Sequence, residues 1–249
     1  MIDADCLQTH GYVRIDAAIE SQLIQSVLAS AQKAFDLSPD IKAKYLRSNG
    51  GYGYTPPGIE RVVGNVPDPN REFWDIGQGS PNLFPDEVGE FGNSAIKLHA
   101  QLMELAYDAL RGLDRSWGTT IAPLVLDSRM PMRVSKYREA PEGEILFPRH
   151  RDFSLITLFA GSDNQGVEFE CQGRWFRPDQ PSGSVLVGAG TLLKQYRPQL
   201  KPLPHRIVAV PGNRTSIVLF TEPRPEVRLP NGQSTSDYIS ALMARVRQE

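Results

Sequence analysis

The chemistry in this sequence concentrates in His150-Arg151-Asp152 and, further along, His205. If His150 opens a strand, residues i and i+2 point the same way, so its imidazole and the Asp152 carboxylate project side by side while Arg151 points away. His205 opens a later strand. Two imidazoles and one carboxylate are the donor set of a facial site for non-heme Fe(II), which leaves three coordination positions open for a bidentate cosubstrate and O2. Beyond His205, Arg214-Thr215-Ser216 falls on another strand, again with i and i+2 on one face. A guanidinium fork beside a hydroxyl suits a carboxylate. A dicarboxylate could chelate the metal with a 2-oxo acid end and anchor its far end here, which is the geometry 2-oxoglutarate needs. The plain alternatives are two packed histidines in a metal-free fold and a structural salt bridge on a strand face. Against the first, the chain holds only 4 histidines, and two of them fall at these positions.

The elements that must carry these residues follow from periodicity. Helical spacing predicts a helix over Ala17–Phe35 capped by Asp16, with Ile19, Leu23, Val27, Ala31 and Phe35 on one stripe. A short helix starts at Ser38-Pro39. A third covers Ser94–Trp117, with Ile96, Met103, Leu110 and Leu113 toward a core. After Pro131 the period changes to two, and strands are expected at Met132–Tyr137, His150–Ala160, Val167–Cys171, Ser184–Gly188, His205–Val210 and Arg214–Thr221. A final helix spans Thr235–Arg247, with Ser234 and Asp237 fitting a capping box and Tyr238, Leu242 and Val246 inward. No linker divides the chain. Its 249 residues are long enough to bury a full core.

Composition excludes several roles. There are 27 Lys+Arg against 29 Asp+Glu, a net charge of −2, so no cationic field for nucleic acid is expected. The 2 cysteines, Cys6 and Cys171, make no disulfide framework, and a reducing cytoplasm is the expected location. The N-terminus lacks a secretory pattern, no apolar run reaches the ~18 residues of a membrane span, and neither a repeat nor a phosphate-binding glycine loop occurs.

His150, Asp152, His205 and the Arg214-x-Ser216 pair stand in the order and spacing of a known family. The chain resembles the isopenicillin N synthase-like branch of the Fe(II)/2-oxoglutarate-dependent oxygenases. PHRIV around His205, the SGSVLVGAGTLLKQY run before it, MRVSKY at 132–137 and DPNREFWDIGQ at 68–78 extend the resemblance over nearly the whole chain. The resemblance implies a mostly β fold with α: a double-stranded β-helix (jelly-roll) core flanked by N-terminal helices and a C-terminal helix. It implies one oxygenase domain over 1–249, with a helical support region at 1–130, the core with the iron and 2-oxoglutarate sites at 131–222, and a terminal helix at 223–249. It further implies Fe(II) on His150, Asp152 and His205. Arg214, Ser216 and Tyr137 would hold 2-oxoglutarate, and O2 would be the oxidant. Because Asp152 is kept, halogenation, which needs a small residue there, is not expected.

The implied reaction is oxidation of a small-molecule C–H bond by hydroxylation or desaturation, with an amino acid or specialised metabolite as substrate. Two other readings stand beside it: a 2-oxoglutarate-independent Fe(II) oxidase performing oxidative cyclisation, and a non-catalytic jelly-roll binding protein. Candidate substrate contacts are Arg197, Lys201, Phe153 and Tyr54, with Gly51–Glu60 as a lid. No nucleic acid or membrane partner is expected, and the chain should be a monomer or weak homo-oligomer.

Overall fold

The computed structural model describes residues 2–48, 51–61 and 63–246. Six helices are seen among them: α1 (Ala4–His10), α2 (Ser21–Phe35), α3 (Pro39–Ala43), α4 (Gly89–Trp117), α5 (Leu193–Tyr196) and α6 (Thr235–Val246). The strands are β1 (Tyr12–Ile15), β2 (Gly53–Thr55), β3 (Arg71–Ile76), β4 (Met132–Tyr137), β5 (Ile145–His150) and β6 (Ile156–Ser162). They continue with β7 (Val167–Cys171), β8 (Arg174–Phe176), β9 (Val185–Ala189), β10 (His205–Val208) and β11 (Arg214–Phe220). A seven-stranded antiparallel sheet runs β1-β9-β6-β11-β4-β3-β2, and a four-stranded sheet runs β5-β10-β7-β8. Two antiparallel sheets with helices before and after them are the expected double-stranded β-helix.

The apolar pattern explains the layering. Along β6 and β9 one set of alternate residues (Ile156, Leu158, Ala160; Val185, Val187, Ala189) joins the core shared with the helices. The other set, Phe159 and Leu186, meets Phe169 and Ile207 of the smaller sheet. Both faces are covered, so these strands read as continuous hydrophobic runs. The outer layer is α4, whose Phe91, Ala95, Leu98, Leu102, Ala106, Leu110 and Leu113 form a buried stripe, packed against the Leu23, Val27 and Ala31 stripe of α2. Gly118, at φ 67, ends α4 in the left-handed conformation that glycine adopts without strain.

Several sequence expectations change. Helix α2 begins at Ser21 rather than Ala17. Ala17 has φ 48, and the N–H groups of Ala18 and Ile19 donate to Gly183 O, so this stretch is a turn fastened to another loop. Asp16 pairs with Arg14 instead of capping the helix. On α4, Ile96 is exposed. The N-terminal third is not purely helical, because β1, β2 and β3 all join the large sheet. At the other end, the Asp237 N–H does donate to Ser234 Oγ at 3.0 Å, and Tyr238 and Leu242 are half-buried. The Val246 side chain and Arg247 lie outside what is described.

The change that matters most concerns His150–Ala160, which is two strands. His150 ends β5 in the small sheet and Ile156 begins β6 in the large one. The chain crosses between sheets at 151–155, where Leu155 N–H donates to Thr221 O and Thr191 N–H donates to Asp152 O. Asp152 therefore sits on a crossover, not on a strand.

Candidate functional site

Strand pairing brings the two histidines together. In the β5–β10 ladder His205 lies directly opposite His150, and their ring centroids are 4.1 Å apart. The crossover then delivers Asp152 between them. Its Oδ1 is 3.7 Å from His150 Nε2 and its Oδ2 is 3.7 Å from His205 Nε2. Candidate ligand atoms of the three residues all fall within 4.8 Å of one another. Side-by-side projection from a single strand is thus replaced by a cross-strand pair plus a crossover carboxylate.

The surroundings prepare these groups for a metal. His150 Nδ1 lies 2.9 Å from Pro148 O and His205 Nδ1 3.3 Å from Leu203 O. A proton on each Nδ1 satisfies those carbonyls and leaves the Nε2 lone pairs facing Asp152. Burial, reinforced by the neighbouring His205, pushes His150 down to about 3, so its imidazole is neutral at ordinary pH. Metal ligation requires that neutral form. Asp152 Oδ2 accepts a hydrogen bond from Thr157 Oγ1 at 2.7 Å, and Ser154 Oγ lies 2.7 Å from the same hydroxyl. This contact orients the carboxylate. Thr157→Val keeps the shape and removes the donor, and is expected to weaken Fe(II) binding by about 10–100-fold, measured by metal titration of the purified chain.

The cavity holding the triad continues to Arg214. Its lining includes Tyr137, His150, Asp152, Phe159, Gln180, His205, Arg214 and Ser216. Arg214 and Ser216 are both buried, and Arg214 Nη1 donates to Ser216 Oγ at 3.3 Å. Arg214 faces Tyr137 across the β11–β4 ladder, its guanidinium 4.8 Å from the Tyr137 ring. No carboxylate bonds this guanidinium among the described residues, and its Nε is buried without a hydrogen-bond partner. Burial lowers its pKa, the expected penalty for a cation away from water. Gly166 keeps the space beside it clear: a Cβ there would come within 2.7 Å of Arg214 Cδ and Nε. Two imidazoles with a carboxylate fit Fe(II). A buried guanidinium with no carboxylate partner among the described residues, further along the same cavity, fits the far carboxylate of a cosubstrate chelating that iron.

An outer cavity of about 700 Å³ shares Arg133 and Phe220 with the inner one. Arg133 is bound by Asp75 at 2.8 Å and Glu60 at 2.7 Å, and Arg71 also reaches Glu60 at 2.5 Å. Burial pushes Glu60 upward, but Arg133 and Arg71 more than offset this and hold it below the usual carboxylate range. Of the Gly51–Glu60 segment expected as a lid, Gly51, Tyr52, Tyr54, Thr55, Pro56 and Ile59 form part of the wall.

The four expected substrate contacts fare differently. Tyr54 lines the outer cavity, but its hydroxyl is held by Glu72 and its ring packs 5.2 Å from Trp74. Arg197 lines neither cavity; its Nε donates to Gln8 Oε1 at 2.7 Å and its guanidinium lies over Trp117. Lys201 is exposed and Phe153 half-buried, and neither lines the two cavities. Thr157, Gln180 and the Arg133–Glu60–Arg71 cluster were not anticipated. The one available signal was an arginine at 71 and another at 133, in segments that also carry the apolar Phe73, Trp74, Ile76, Met132 and Val134.

Comparison with known proteins fits this geometry. Residues 128–223 match the family described as the 2OG-Fe(II) oxygenase superfamily. The 2-oxoglutarate-dependent dioxygenase citB of Monascus ruber is 24% identical over 270 residues, covering 92% of this chain and 79% of the relative. Isopenicillin N synthase of Streptomyces clavuligerus is 26% identical over 195 residues, covering 68% of this chain and 59% of its own length. Among solved structures, a full-length Neurospora crassa protein in complex with alpha-KG superposes with a TM-score of 0.79 at 21% identity, covering 97% of this chain and 88% of that one.

Proposed function

We propose, from the match of residues 128–223 to the 2OG-Fe(II) oxygenase superfamily and from the His-Asp-His set, that this Fe(II)- and 2-oxoglutarate-dependent dioxygenase hydroxylates or desaturates a C–H bond of a small molecule. Candidate substrates are amino acids and specialised metabolites. The observation that carries the reading is a His-Asp-His set sharing one cavity with a buried guanidinium whose Nε has no hydrogen-bond partner.

When bound, iron would let O2 act as the oxidant: 2-oxoglutarate would be oxidised to succinate and CO2, one oxygen atom ending in succinate and the other available to oxidise the substrate. The chain's own part is position and dryness. His150, Asp152 and His205 hold the metal, and Thr157 fixes the carboxylate's orientation. Arg214 and Ser216 take the far carboxylate of 2-oxoglutarate, and the Tyr137 ring beneath the guanidinium keeps the fork in place. Phe159 and Phe147, packed edge-on against the histidines, exclude water from the centre.

Succinate release tests this. The Fe(II)-loaded protein is expected to form succinate from 2-oxoglutarate under air and none under argon. A panel of amino acids and metabolites should contain members that raise the aerobic rate. Oxygen consumption without succinate would instead indicate an oxidase that takes all its electrons from substrate.

A further inference from the structure

Glu222 is an acidic group of the outer cavity that the reaction outlined above does not use. It is partly buried, it lines the cavity wall, and the Asp152 charge reaches it. Its backbone is fixed on both sides. Thr221 is fully buried; its Oγ1 accepts from Ile156 N–H at 2.9 Å and donates to Ile156 O at 2.8 Å. Pro223 follows, with its φ locked by the ring. The carboxylate is therefore presented by a rigid segment, continuous with β11, that also carries Phe220 of the shared wall.

Its lack of partners sets it apart. Asp75 holds Arg47 and Arg133, Glu60 holds Arg71 and Arg133, and Asp152 takes the Thr157 hydroxyl. Glu222 has no hydrogen-bond or ion-pair partner among the described residues. Burial and the nearby Asp152 charge push its carboxyl above the usual range. A rigid, partly desolvated acceptor facing a cavity is available to a donor that enters.

The same wall indicates the kind of donor. Arg47, Arg129 and Arg133 also line this cavity, so its field does not favour a cation. Leu46 and Ile59, exposed at 45% and 63%, add an apolar rim. We propose that Glu222 is the substrate-recognising carboxylate and that it accepts a hydrogen bond from an uncharged N–H, of an amide or nitrogen heterocycle, on a molecule whose apolar body lies along Leu46, Ile59 and Phe220. This deepens the reading of the chain as a small-molecule dioxygenase and rests on it.

The test uses the full chain loaded with Fe(II) and 2-oxoglutarate. Probes are thymine and indole, each beside its N-methylated counterpart (1,3-dimethylthymine and 1-methylindole), with phenethylamine as a cation. Two quantities are read: O2-dependent succinate release above the probe-free rate, and calorimetric probe binding under argon. In the wild type an N–H probe should exceed its N-methylated twin by at least about tenfold in both readouts, the cost of leaving an acceptor unmatched once the probe covers it. Glu222→Ala should reduce that preference to within about twofold. Glu222→Gln, which keeps the shape and a carbonyl acceptor, should retain most of it, provided both variants melt cooperatively. N–H probes that do no better than their twins in the wild type overturn the proposal, as does Glu222→Ala with undiminished preference. A preference for phenethylamine overturns the uncharged donor. Probe-free succinate formation by the wild type keeps this separate from the parent reading: if that rate is absent, it is the dioxygenase reading that has failed.

Discussion

Asp152→Ala should eliminate stoichiometric Fe(II) binding and reduce succinate formation to the level of the metal-free protein. Asp152 is the anionic member of the triad, and each of its oxygens faces one histidine Nε2 at 3.7 Å. Removing it leaves only two imidazoles, a set that neither neutralises the cation nor defines a face. Loss of a direct ligand must cost more than the ~10–100-fold typical of groups one contact further out, so an affinity loss well beyond about a hundredfold is expected. A folding control separates this from collapse. Asp152 is partly buried and near both the His150–His205 pair and Glu222, whose carboxyl its charge pushes up. Without metal, Ala at this position removes one hydrogen bond from Thr157 and one like-charge repulsion, so the melting temperature should barely move. The wild type, in contrast, should gain about 2.7 kcal/mol when Fe(II) is present at a hundred times its Kd, and the variant almost none. A variant that still binds one Fe(II) per chain at wild-type affinity would remove Asp152 from the metal centre.

The ligand identities were legible in the sequence while their geometry was not, and the reason is physical. Histidine is scarce here, and Arg214-x-Ser216 is a polar pair within an apolar strand, so residue type alone singles them out. Period two on β4 and β11 also gives the right faces, because both strands stay in one sheet: Arg214 pairs with Tyr137 and Ser216 with Ser135. His150 to Asp152 breaks that rule. Nothing local in HRDFSLITLFA marks the exit from the smaller sheet, since the partners that hold the crossover are Thr191 and Thr221, 39 and more residues away. The same blindness hid β3. In Arg71-Glu72-Phe73-Trp74-Asp75-Ile76 the charged residues look exposed, yet Asp75 is buried in a pair with Arg133, and the half-buried Glu72 pairs with the buried Lys42. Buried ion pairs make a strand interior look like a surface. Glu222 was invisible for the opposite reason: an acid beside a proline suggests an ordinary loop, and only the cavity gives it meaning.

Arg214→Ala should raise the KM for 2-oxoglutarate by about two to four orders of magnitude, because truncating one member of a buried charge pair costs about 3–5 kcal/mol. In this chain the direction of the stability change distinguishes a binding role from a structural one. A structural arginine is paired, and its removal strands the partner. Arg214 is buried with its Nε unsatisfied, and its polar neighbours are the neutral Ser216 Oγ and Tyr137, on whose ring it rests. Burial already pulls its pKa down, meaning that the fold bears a cost to keep the cation there. An apolar replacement of similar length, Arg214→Met, should therefore leave the melting temperature of the ligand-free protein unchanged or raised, while 2-oxoglutarate loses its hold. Arg214→Lys tests the fork. It restores the charge but not the second parallel hydrogen bond, so its KM should fall between those of wild type and Met. These variants are read by succinate formation against 2-oxoglutarate concentration and by melting curves without and with 2-oxoglutarate. Wild type should be stabilised by the cosubstrate and Arg214→Met should not. A KM within about threefold of wild type, or a large drop in ligand-free melting temperature with unchanged KM, would make Arg214 a structural residue and move the carboxylate anchor elsewhere in the cavity.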